Sequence, residues 1–361
     1  MTTHLASSFA PCAIDLFSGA GGLTLGLKSA GFRVLGGIEL DSLAAETYRL
    51  NHPEVTLFES DIRRVSVGMV LERLAIAPGQ LDLLAGCPPC QGFSSIRTRR
   101  RGTRDDERND LIFEFVRFVD GLRPRVVMME NVPGLAADDR LGQLVRRLRR
   151  RGYRVSWDVL DAADYGVPQR RQRLLLLASR DRRLRPATPG GIRRTVEDVL
   201  RLMPPPGSSG DPLHDHDENR SDRVREIIRQ IPRDGGSRTA LEPRLSLPCH
   251  TRASGFFDVY GRMAWSDVAP TITGGCVNPS KGRFLHPEQD RAITLREAAI
   301  LQSFPRTYRI SLRRGKYAAA ELIGNALPPA FVQQQASAVY EYLQTVARHD
   351  AYPLADGGSG G

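Results

Sequence analysis

Cys90, in the segment GCPPCQGFS, is the first residue whose type and position suggest chemistry. The preceding residues LDLLAG have the pattern of a buried strand, so we expect Cys90 at the carboxyl end of a sheet, where α/β proteins bind ligands. A thiolate at that edge can act as a nucleophile. Two alternatives stay open: Cys87 and Cys90 could form a redox pair or half of a zinc site. The other zinc ligands would be Cys249, His250 and Cys276.

Glu130 follows a second apolar segment, RVVMMENVPGL, which indicates another buried strand. This strand brings Glu130 and Asn131 to the same sheet edge as Cys90. Because partial burial raises the pKa of a carboxyl group, Glu130 could hold or donate a proton near neutral pH. A helix N-cap or a salt-bridged loop carboxylate is the alternative role, and the neighbouring Cys90 favours the catalytic one.

Arg171 and Arg173 lie two residues apart in DYGVPQRRQRLLLLA, where a further strand begins. Side chains two residues apart in a strand point to the same face, so we expect the two guanidinium groups to converge. Such a pair forms a site for an anion or a carbonyl oxygen. A basic strand end without a specific ligand is the alternative.

A glycine-rich turn in DLFSGAGGLTLGL joins a strand that ends at residues 15–17 to a helix. Glu39 ends the next strand, where a carboxylate can accept hydrogen bonds from ribose hydroxyls, and Asp61, after the third strand, could accept one from an adenine amino group. The spacing G-x-G-G differs from the G-x-G-x-x-G of dinucleotide sites. This spacing favours an adenosine-containing cofactor that is not a dinucleotide over the dinucleotide of a dehydrogenase. A purely structural turn remains the alternative. The glycines of the turn are Gly19, Gly21 and Gly22.

The elements that position these residues are apolar segments alternating with helical patterns from residue 13 to residue 179. This alternation predicts an α/β fold with a doubly wound, mostly parallel sheet in residues 1–180. Proline- and glycine-rich stretches then break it and predict a smaller, irregular domain in residues 181–314, with one helix near residues 221–231. Residues 315–361 are expected to return to the first domain and to end in a flexible tail.

The charge is unbalanced, with 51 lysine and arginine residues against 41 acidic ones and a formal net charge of +10. Only Lys28, Lys281 and Lys316 are lysines. An arginine-rich chain suggests a polyanionic partner, and a solvated arginine surface is an equally good explanation. An odd number of cysteines, no signal-peptide pattern and no apolar run of about 18 residues indicate a reducing, cytoplasmic interior without a membrane span.

The glycine-rich turn and the segments that contain Cys90, Glu130 and Arg171 are followed in order by RAITLREAAILQSFP and GNALPP. Together they resemble the ordered motif set of the cytosine carbon-5 DNA methyltransferases. The resemblance extends from residue 13 to about residue 346, and PCQGFS, ENV and PQRRxR are specific in combination. It implies a Rossmann-like, S-adenosylmethionine-dependent methyltransferase domain and a variable target-recognition domain in the irregular segment. The compact chain is similar to bacterial members that are often paired with a restriction endonuclease.

The resemblance also assigns roles to single residues. Cys90 corresponds to the nucleophile and Glu130 to the acid that engages the cytosine ring. Arg171 and Arg173 correspond to the arginines that steady the base and the active-site loop. The positions that correspond to the S-adenosylmethionine pocket, together with Gly21 of the turn, are Phe17, Gly19, Glu39, Asp61, Ile62, Pro89, Leu111 and Asn325.

The chemistry explains why these residue types are required. Carbon 5 of cytosine is too weak a nucleophile to take a methyl group from a sulfonium. If a Cys90 thiolate adds at carbon 6 while Glu130 protonates or hydrogen-bonds the ring, carbon 5 becomes enamine-like. A cytosine stacked in duplex DNA is out of reach, so the base must be extruded at a cost of about a few kcal/mol.

Phosphate contacts must help to offset that cost. The segment SIRTRRRGTRDDERND could form a lid that closes on the DNA backbone through Arg97 and Arg99, and a solvated loop is the alternative. In the irregular segment, Thr271 begins a Thr-aliphatic pair that resembles the signature of the family's recognition domains. Further candidate DNA contacts are Arg262, Lys281 and Arg283.

Four expectations concern ligands, rival functions and the oligomeric state. The HDHDEN stretch around His214 and His216 is typical of a polar loop, so we expect no metal. A methyltransferase of RNA cytosine is a rival, but the long irregular segment favours a duplex DNA partner. A catalytically inactive DNA-binding paralogue is a second rival, and the intact set of candidate catalytic residues speaks against it. We expect a monomer.

Overall fold

Seven strands form one sheet in the first part of the chain. The computed structural model describes residues 10–89, 111–190, 193–216, 218–245 and 258–351. The strands are β1 Cys12–Leu16, β2 Arg33–Glu39, β3 Thr56–Glu59, β4 Leu83–Gly86, β5 Val126–Asn131, β6 Arg154–Asp161 and β7 Gln172–Ser179. Their order is β3-β2-β1-β4-β5-β7-β6. All neighbours are parallel except β7, which runs antiparallel to both β5 and β6.

Ten α-helices accompany the sheet within the described residues. The strands are continuous apolar runs because helices cover both faces, and every residue of β1, β4 and β5 is buried. The predicted doubly wound α/β fold with a mostly parallel sheet is therefore confirmed. The helices are α1 Gly22–Ser29, α2 Ser42–Asn51, α3 Val67–Arg73, α4 Leu111–Leu122, α5 Asp139–Arg150, α6 Val196–Leu200, α7 Asp222–Gln230, α8 Leu295–Leu301, α9 Gly315–Asn325 and α10 Pro329–Ala351.

Residues after the sheet form a second unit around a separate apolar cluster. This cluster joins α6, α8 and α9 to loop residues such as Met263, Ile272 and Phe284. The domain is irregular, as expected, and the described residues of this segment pair only in isolated bridges, such as Arg262 with Leu285. The predicted helix near residues 221–231 is α7.

The two last helices pack on different parts of the molecule. Helix α9 contributes Ala319, Ala320 and Ile323 to the second unit. Helix α10 packs instead with the sheet domain through residues such as Phe331 and Leu343. The expected return to the first domain at residue 315 therefore begins one helix later. No helix in the described part of the chain is long and apolar enough to cross a membrane.

Candidate active site

The parallel strands β1, β2, β4 and β5 end at one edge of the sheet. The register pairs Leu16 with both Ile38 and Gly86, and Gly86 with Met129. The glycine-rich turn, Glu39, the CPPC segment and Glu130 therefore follow neighbouring strand ends. This is the edge at which open α/β sheets bind ligands.

The turn after β1 has the backbone conformation that a close ligand approach requires. The φ angles of Phe17, Gly19 and Gly21 are +61°, +54° and +89°. A Cβ on Gly21 would lie 2.6 Å from Tyr308 Oη and 2.7 Å from His52 Nε2, whereas a Cβ on Gly19 would meet no atom within 4 Å. Gly21 is thus packed from behind, and Gly19 faces open space.

Two buried side chains support the turn. His52 Nε2 lies 3.2 Å from the Gly21 carbonyl oxygen and 3.1 Å from Tyr308 Oη, and the Tyr308 hydroxyl donates to the Ala20 carbonyl at 2.6 Å. Burial lowers the pKa of His52 to about 4, so the ring is neutral at pH 7. Tyr308 belongs to the second unit, which therefore helps to hold the turn.

We expect Gly21→Ala to destabilise the protein more than Gly19→Ala. Positive φ costs a residue with a Cβ about 1–2 kcal/mol at either position. Only at Gly21 would the new methyl group also overlap His52 and Tyr308. Urea unfolding of both variants measures the difference, and equal free energies of unfolding would contradict the packing of the turn.

Glu39 is bound to the backbone around the turn. Its Oε2 accepts from the Gly19 amide and its Oε1 from the Asp41 amide, both at 2.7 Å. Burial raises the pKa of Glu39. A carboxylate can accept about four hydrogen bonds, so acceptor positions remain for a ligand. Leu40, 66% exposed, follows Glu39 at the same edge.

Asp15 is a buried carboxyl beside the turn whose importance the sequence analysis missed. Its Oδ2 accepts from the Thr24 hydroxyl at 2.7 Å, while Oδ1 has no hydrogen-bond partner among the described residues. Burial raises the pKa of Asp15 to about 8, so the group is mostly protonated at neutral pH. An acidic residue inside the apolar run CAIDLF was the available signal.

Asp15→Asn tests this assignment through the pH dependence of stability. The folded-state pKa of about 8 is raised above the unfolded value. The contribution of Asp15 to the free energy of unfolding is therefore fully present below pH 4 and is lost as pH rises towards 8. The neutral amide cannot titrate, so the variant should gain stability relative to the wild type as pH rises. Urea unfolding at several pH values measures the difference. A pH-independent difference would contradict burial of an ionisable Asp15.

Glu130 and Arg173 form an ion pair at the end of β5. Arg173 Nε lies 2.6 Å from Glu130 Oε1, and both side chains are largely buried. Desolvation, and then the charge of the nearby Glu130 carboxylate, raise the pKa of the Cys87 thiol well above its usual range. Cys87 is therefore a neutral thiol at physiological pH, which is unsuitable for a nucleophile.

Arg171 has a different environment from Arg173. Its Nη1 donates to the Ile272 carbonyl at 3.0 Å and its Nη2 to the Gly324 carbonyl at 2.8 Å. Burial, and then the charge of Arg173, lower the pKa of Arg171 well below its usual range. The expected convergence of the two arginines is therefore limited, because Arg171 is turned into the contact between the two units.

The segment that leads to Cys90 is held by the strand that carries Glu130. Asn131 Nδ2 donates to the Pro88 carbonyl at 3.0 Å. The next residue, Pro89, is half-buried. Cys90 lies outside the described residues, as do Arg97 and Arg99. Asn131, noted in the sequence only as a neighbour of Glu130, thus positions the backbone two residues before Cys90.

The four other expected cofactor residues lie in three different parts of the chain. Asp61 caps a short 3₁₀ helix and pairs with Arg63 at 2.6 Å. The hydrogen bond from Arg63 is the main cause of the lowered pKa of Asp61. An adenine amino group would have to share this carboxylate. The remaining positions are the buried Ile62, Leu111 at the start of α4, and the exposed Asn325 at the end of α9.

Arg262 is a correction to the expected DNA contacts, because its side chain is fully buried. Its guanidinium group donates to four backbone carbonyls and pairs with Asp290 at 2.5 Å. A side chain with every donor occupied inside the second unit cannot reach a phosphate. The carbonyls belong to Ile228, Ile231, His286 and Gln289.

The three other candidate contacts within the described residues lie nearer the surface. The Thr271 hydroxyl donates to the Arg170 carbonyl at 2.7 Å, next to the Ile272 carbonyl that binds Arg171. Lys281 is exposed at the end of a 3₁₀ helix. Arg283 is partly used in folding, because its Nη1 donates to backbone carbonyls of Gly235, Gly236 and Arg262.

Both nitrogens of His214 are already occupied, by the Thr294 hydroxyl at 2.9 Å and the Pro204 carbonyl at 2.8 Å. Cys276, a ligand of the zinc alternative, lies in the apolar cluster of the second unit, where burial raises its pKa to about 12. The other two ligands of that alternative, Cys249 and His250, lie outside the described residues. Within those residues, no His, Cys, Asp and Glu side chains group to hold a metal.

Comparisons with known proteins agree along nearly the whole chain. The model of the C-5 cytosine-specific DNA methylase family matches residues 12–341. Type II methylase M.HgiDII of Herpetosiphon aurantiacus is 37% identical over 346 residues, covering 92% of this chain and 95% of the relative. Type II methyltransferase M1.HphI of Haemophilus parahaemolyticus is 34% identical over 333 residues, covering 90% and 86%.

Solved structures give the same picture of the fold. A prophage-encoded E. coli protein, assigned as a DNA modification methyltransferase, superposes with a TM-score of 0.68 at 26% identity, over 93% of this chain and 100% of that one. A variant of DNMT2 from Spodoptera frugiperda superposes with a TM-score of 0.63 over 92% and 100%. At 16% identity, this second likeness shows the fold alone.

Proposed function

The chain belongs to the C-5 cytosine-specific DNA methylase family, and we propose that Cys90, Glu130 and Arg173 are the residues that carry out its reaction. The enzyme is a DNA (cytosine-5-)-methyltransferase that uses S-adenosylmethionine. The observation that carries the assignment is the buried Glu130–Arg173 pair, 2.6 Å apart, at the sheet edge where the CPPC segment begins.

The residues of the glycine-rich turn suit this cofactor. S-adenosylmethionine supplies an electrophilic methyl group on a sulfonium. We assign the turn at Gly19 to close contact with it, because a Cβ there would enter open space. Glu39 retains acceptor positions for ribose hydroxyls, and the exposed Leu40 beside it offers an apolar surface to the adenine.

Cys90 is assigned the covalent step. Its thiolate would add to carbon 6 of the cytosine, so that carbon 5 becomes nucleophilic towards the methyl group that bound S-adenosylmethionine would supply, with S-adenosylhomocysteine as the product that leaves. Glu130 holds a proton at ring nitrogen 3 and accepts from the exocyclic amine, so that charge developing on the ring is neutralised. Loss of the carbon-5 proton, for which we propose water as the acceptor, expels the Cys90 thiolate.

Arg173 is assigned to hold Glu130 and the base, and Arg171 to hold the two units together. The Arg173 guanidinium holds the Glu130 carboxylate at 2.6 Å. Arg171, bound to Ile272 and Gly324, acts as a positioning residue rather than a contact to cytosine. Thr271, adjacent to Ile272, is then a candidate contact to the DNA near the extruded base.

The substrate is duplex DNA with a specific site, which we assign to recognition by the second unit. The relatives named Type II methylases support a cognate restriction endonuclease that acts on the same site without direct binding. We further propose that the enzyme acts as a monomer at the bacterial nucleoid. Candidate DNA contacts that remain are Arg97, Arg99, Thr271 and Lys281.

Transfer of label from S-adenosylmethionine to duplex DNA or to tRNA tests the substrate. We expect label in duplex DNA and none in tRNA, and label in tRNA alone would overturn the assignment. Expression in a methylation-free host and mapping of 5-methylcytosine across the genome would identify the site. A single short consensus sequence is the expected result.

A further inference from the structure

A concentration of exposed arginines lies at the sheet edge opposite the candidate active site. Helix α5 ends at Arg150, and β6 begins at Arg154, which pairs with Ser179 at the end of β7. Ser179 also pairs with Val126, the first residue of β5. Glu130 is four residues further along β5, about 13 Å away at about 3.3 Å per residue. The C-terminal end of α5, the start of β6 and the residues after β7 therefore share the edge remote from Glu130.

We call this region the distal arginine surface and define it by six exposed side chains. None of the six makes an ion pair with any residue that the structure describes, and each carries a full positive charge. Two acidic residues of this region are already engaged: Asp120 pairs with Arg151, and Asp181 accepts from the Tyr342 hydroxyl at 2.5 Å. The six are Arg146, Arg149, Arg150, Arg154, Arg183 and Arg185.

Two further arginines at this edge are held by aromatic rings. The Arg180 guanidinium lies 5.3 Å from the centre of the Tyr153 ring, and that of Arg182 lies 5.0 Å from the centre of the Tyr342 ring. Both side chains are exposed. Stacking restrains these cations without neutralising them, which leaves their charge available to a ligand.

Helix stabilisation accounts for only part of the surface. Arginines in the last turn of α5 interact favourably with the helix dipole, which explains Arg149 and Arg150. Arg154 lies in a strand, and Arg183 and Arg185 lie in a segment without regular structure, so no helix dipole acts on them. Positive charges gathered at one edge repel each other, and a polyanionic ligand would offset that repulsion.

We propose that the distal arginine surface binds a second segment of duplex DNA, without sequence preference, while the target site occupies the opposite edge. Solvent-exposed guanidinium groups gathered at one edge match a backbone with one phosphate charge per about 1.7 Å of duplex. A second segment would hold the enzyme near long DNA and raise the effective concentration of further sites. The proposed function, on which this inference rests, assigns the target duplex to the carboxyl edge, so the second segment is separate from it.

Matched arginine variants of the full chain test the proposal. One variant replaces Arg149, Arg150, Arg183 and Arg185 by Gln. A second variant replaces only Arg149 and Arg150 by Gln. Its matched control replaces two other exposed arginines by Gln: Arg33, which begins β2, and Arg73, which ends α3. Native mass spectrometry counts short random-sequence duplexes per chain, and titration between about 50 and 200 mM salt gives the salt dependence of the weaker site.

We expect two duplexes per wild-type chain and per control, and one per quadruple variant. For the double variant, the slope of log affinity against log salt at the weaker site should fall by about 0.9 for each phosphate that is no longer neutralised. Methylation of a short duplex should be unchanged, while methylation of plasmid DNA falls. Three results would overturn the proposal: a stoichiometry unaffected by the substitutions, an equal loss in the Arg33/Arg73 control, or displacement of the second duplex by tRNA or an acidic peptide at lower concentration.

Discussion

Cys90→Ser is expected to abolish methyl transfer while S-adenosylmethionine and DNA still bind. A serine hydroxyl is nearly the same size as a thiol, but it ionises far less readily and is a much poorer nucleophile towards carbon 6 of cytosine. Turnover on duplex DNA, together with equilibrium binding of cofactor and DNA, measures the three quantities. Unchanged binding with no turnover assigns Cys90 to the chemical step.

Cys87→Ser is the matched control, because the same atom is changed three residues earlier in the chain. The Cys87 thiol is neutral and lies near Glu130, so its replacement should cost little more than a small displacement of that carboxylate. We expect turnover close to that of the wild type. Equal loss of methylation in the two variants would instead support a paired role for the two cysteines, in redox chemistry or zinc binding.

Glu130→Gln is expected to lower turnover by roughly 10² to 10⁴, the usual contribution of general acid catalysis. The amide keeps the size of the side chain and one acceptor oxygen, but it has no titratable proton. It also loses the charge that attracts Arg173 at 2.6 Å. Turnover should fall while the cofactor KM changes little.

Glu39→Gln should show the opposite pattern, a raised cofactor KM with turnover retained at saturating cofactor. Glu39 uses one oxygen for the Gly19 amide and the other for the Asp41 amide. An amide side chain has only one oxygen, so the variant cannot keep both of these bonds or the charge-assisted bond to ribose. If Glu39→Gln lowers turnover and Glu130→Gln only raises the KM, the two sites have been exchanged in our assignment.

The sheet and the positions of its strand ends could be predicted because they depend on local pattern. Parallel strands buried on both faces are continuous apolar runs, which marked β1, β4 and β5 in the sequence. The residue that follows each run lies at the carboxyl edge. Glu39 and Glu130 could therefore be assigned to one edge before any contact was known.

Contacts between distant parts of the chain could not be predicted in this way. Arg171 binds Gly324 across 153 positions, and His52 meets Tyr308 across 256. Arg262 shows the same limit, because an arginine in a segment rich in glycine and proline is typical of a solvated loop. Its burial follows from backbone carbonyls brought together only by the fold of the second unit.

Covalent trapping of the enzyme tests the central claim most directly. A duplex that carries 5-fluorocytosine at the target position has no proton at carbon 5 to lose, so the cysteine adduct cannot be released after methyl transfer. We predict a one-to-one adduct in the presence of S-adenosylmethionine, with the modified base on the peptide that contains Cys90. Methylation of the normal duplex with no adduct on the fluorinated one, or an adduct on Cys87, would contradict the account.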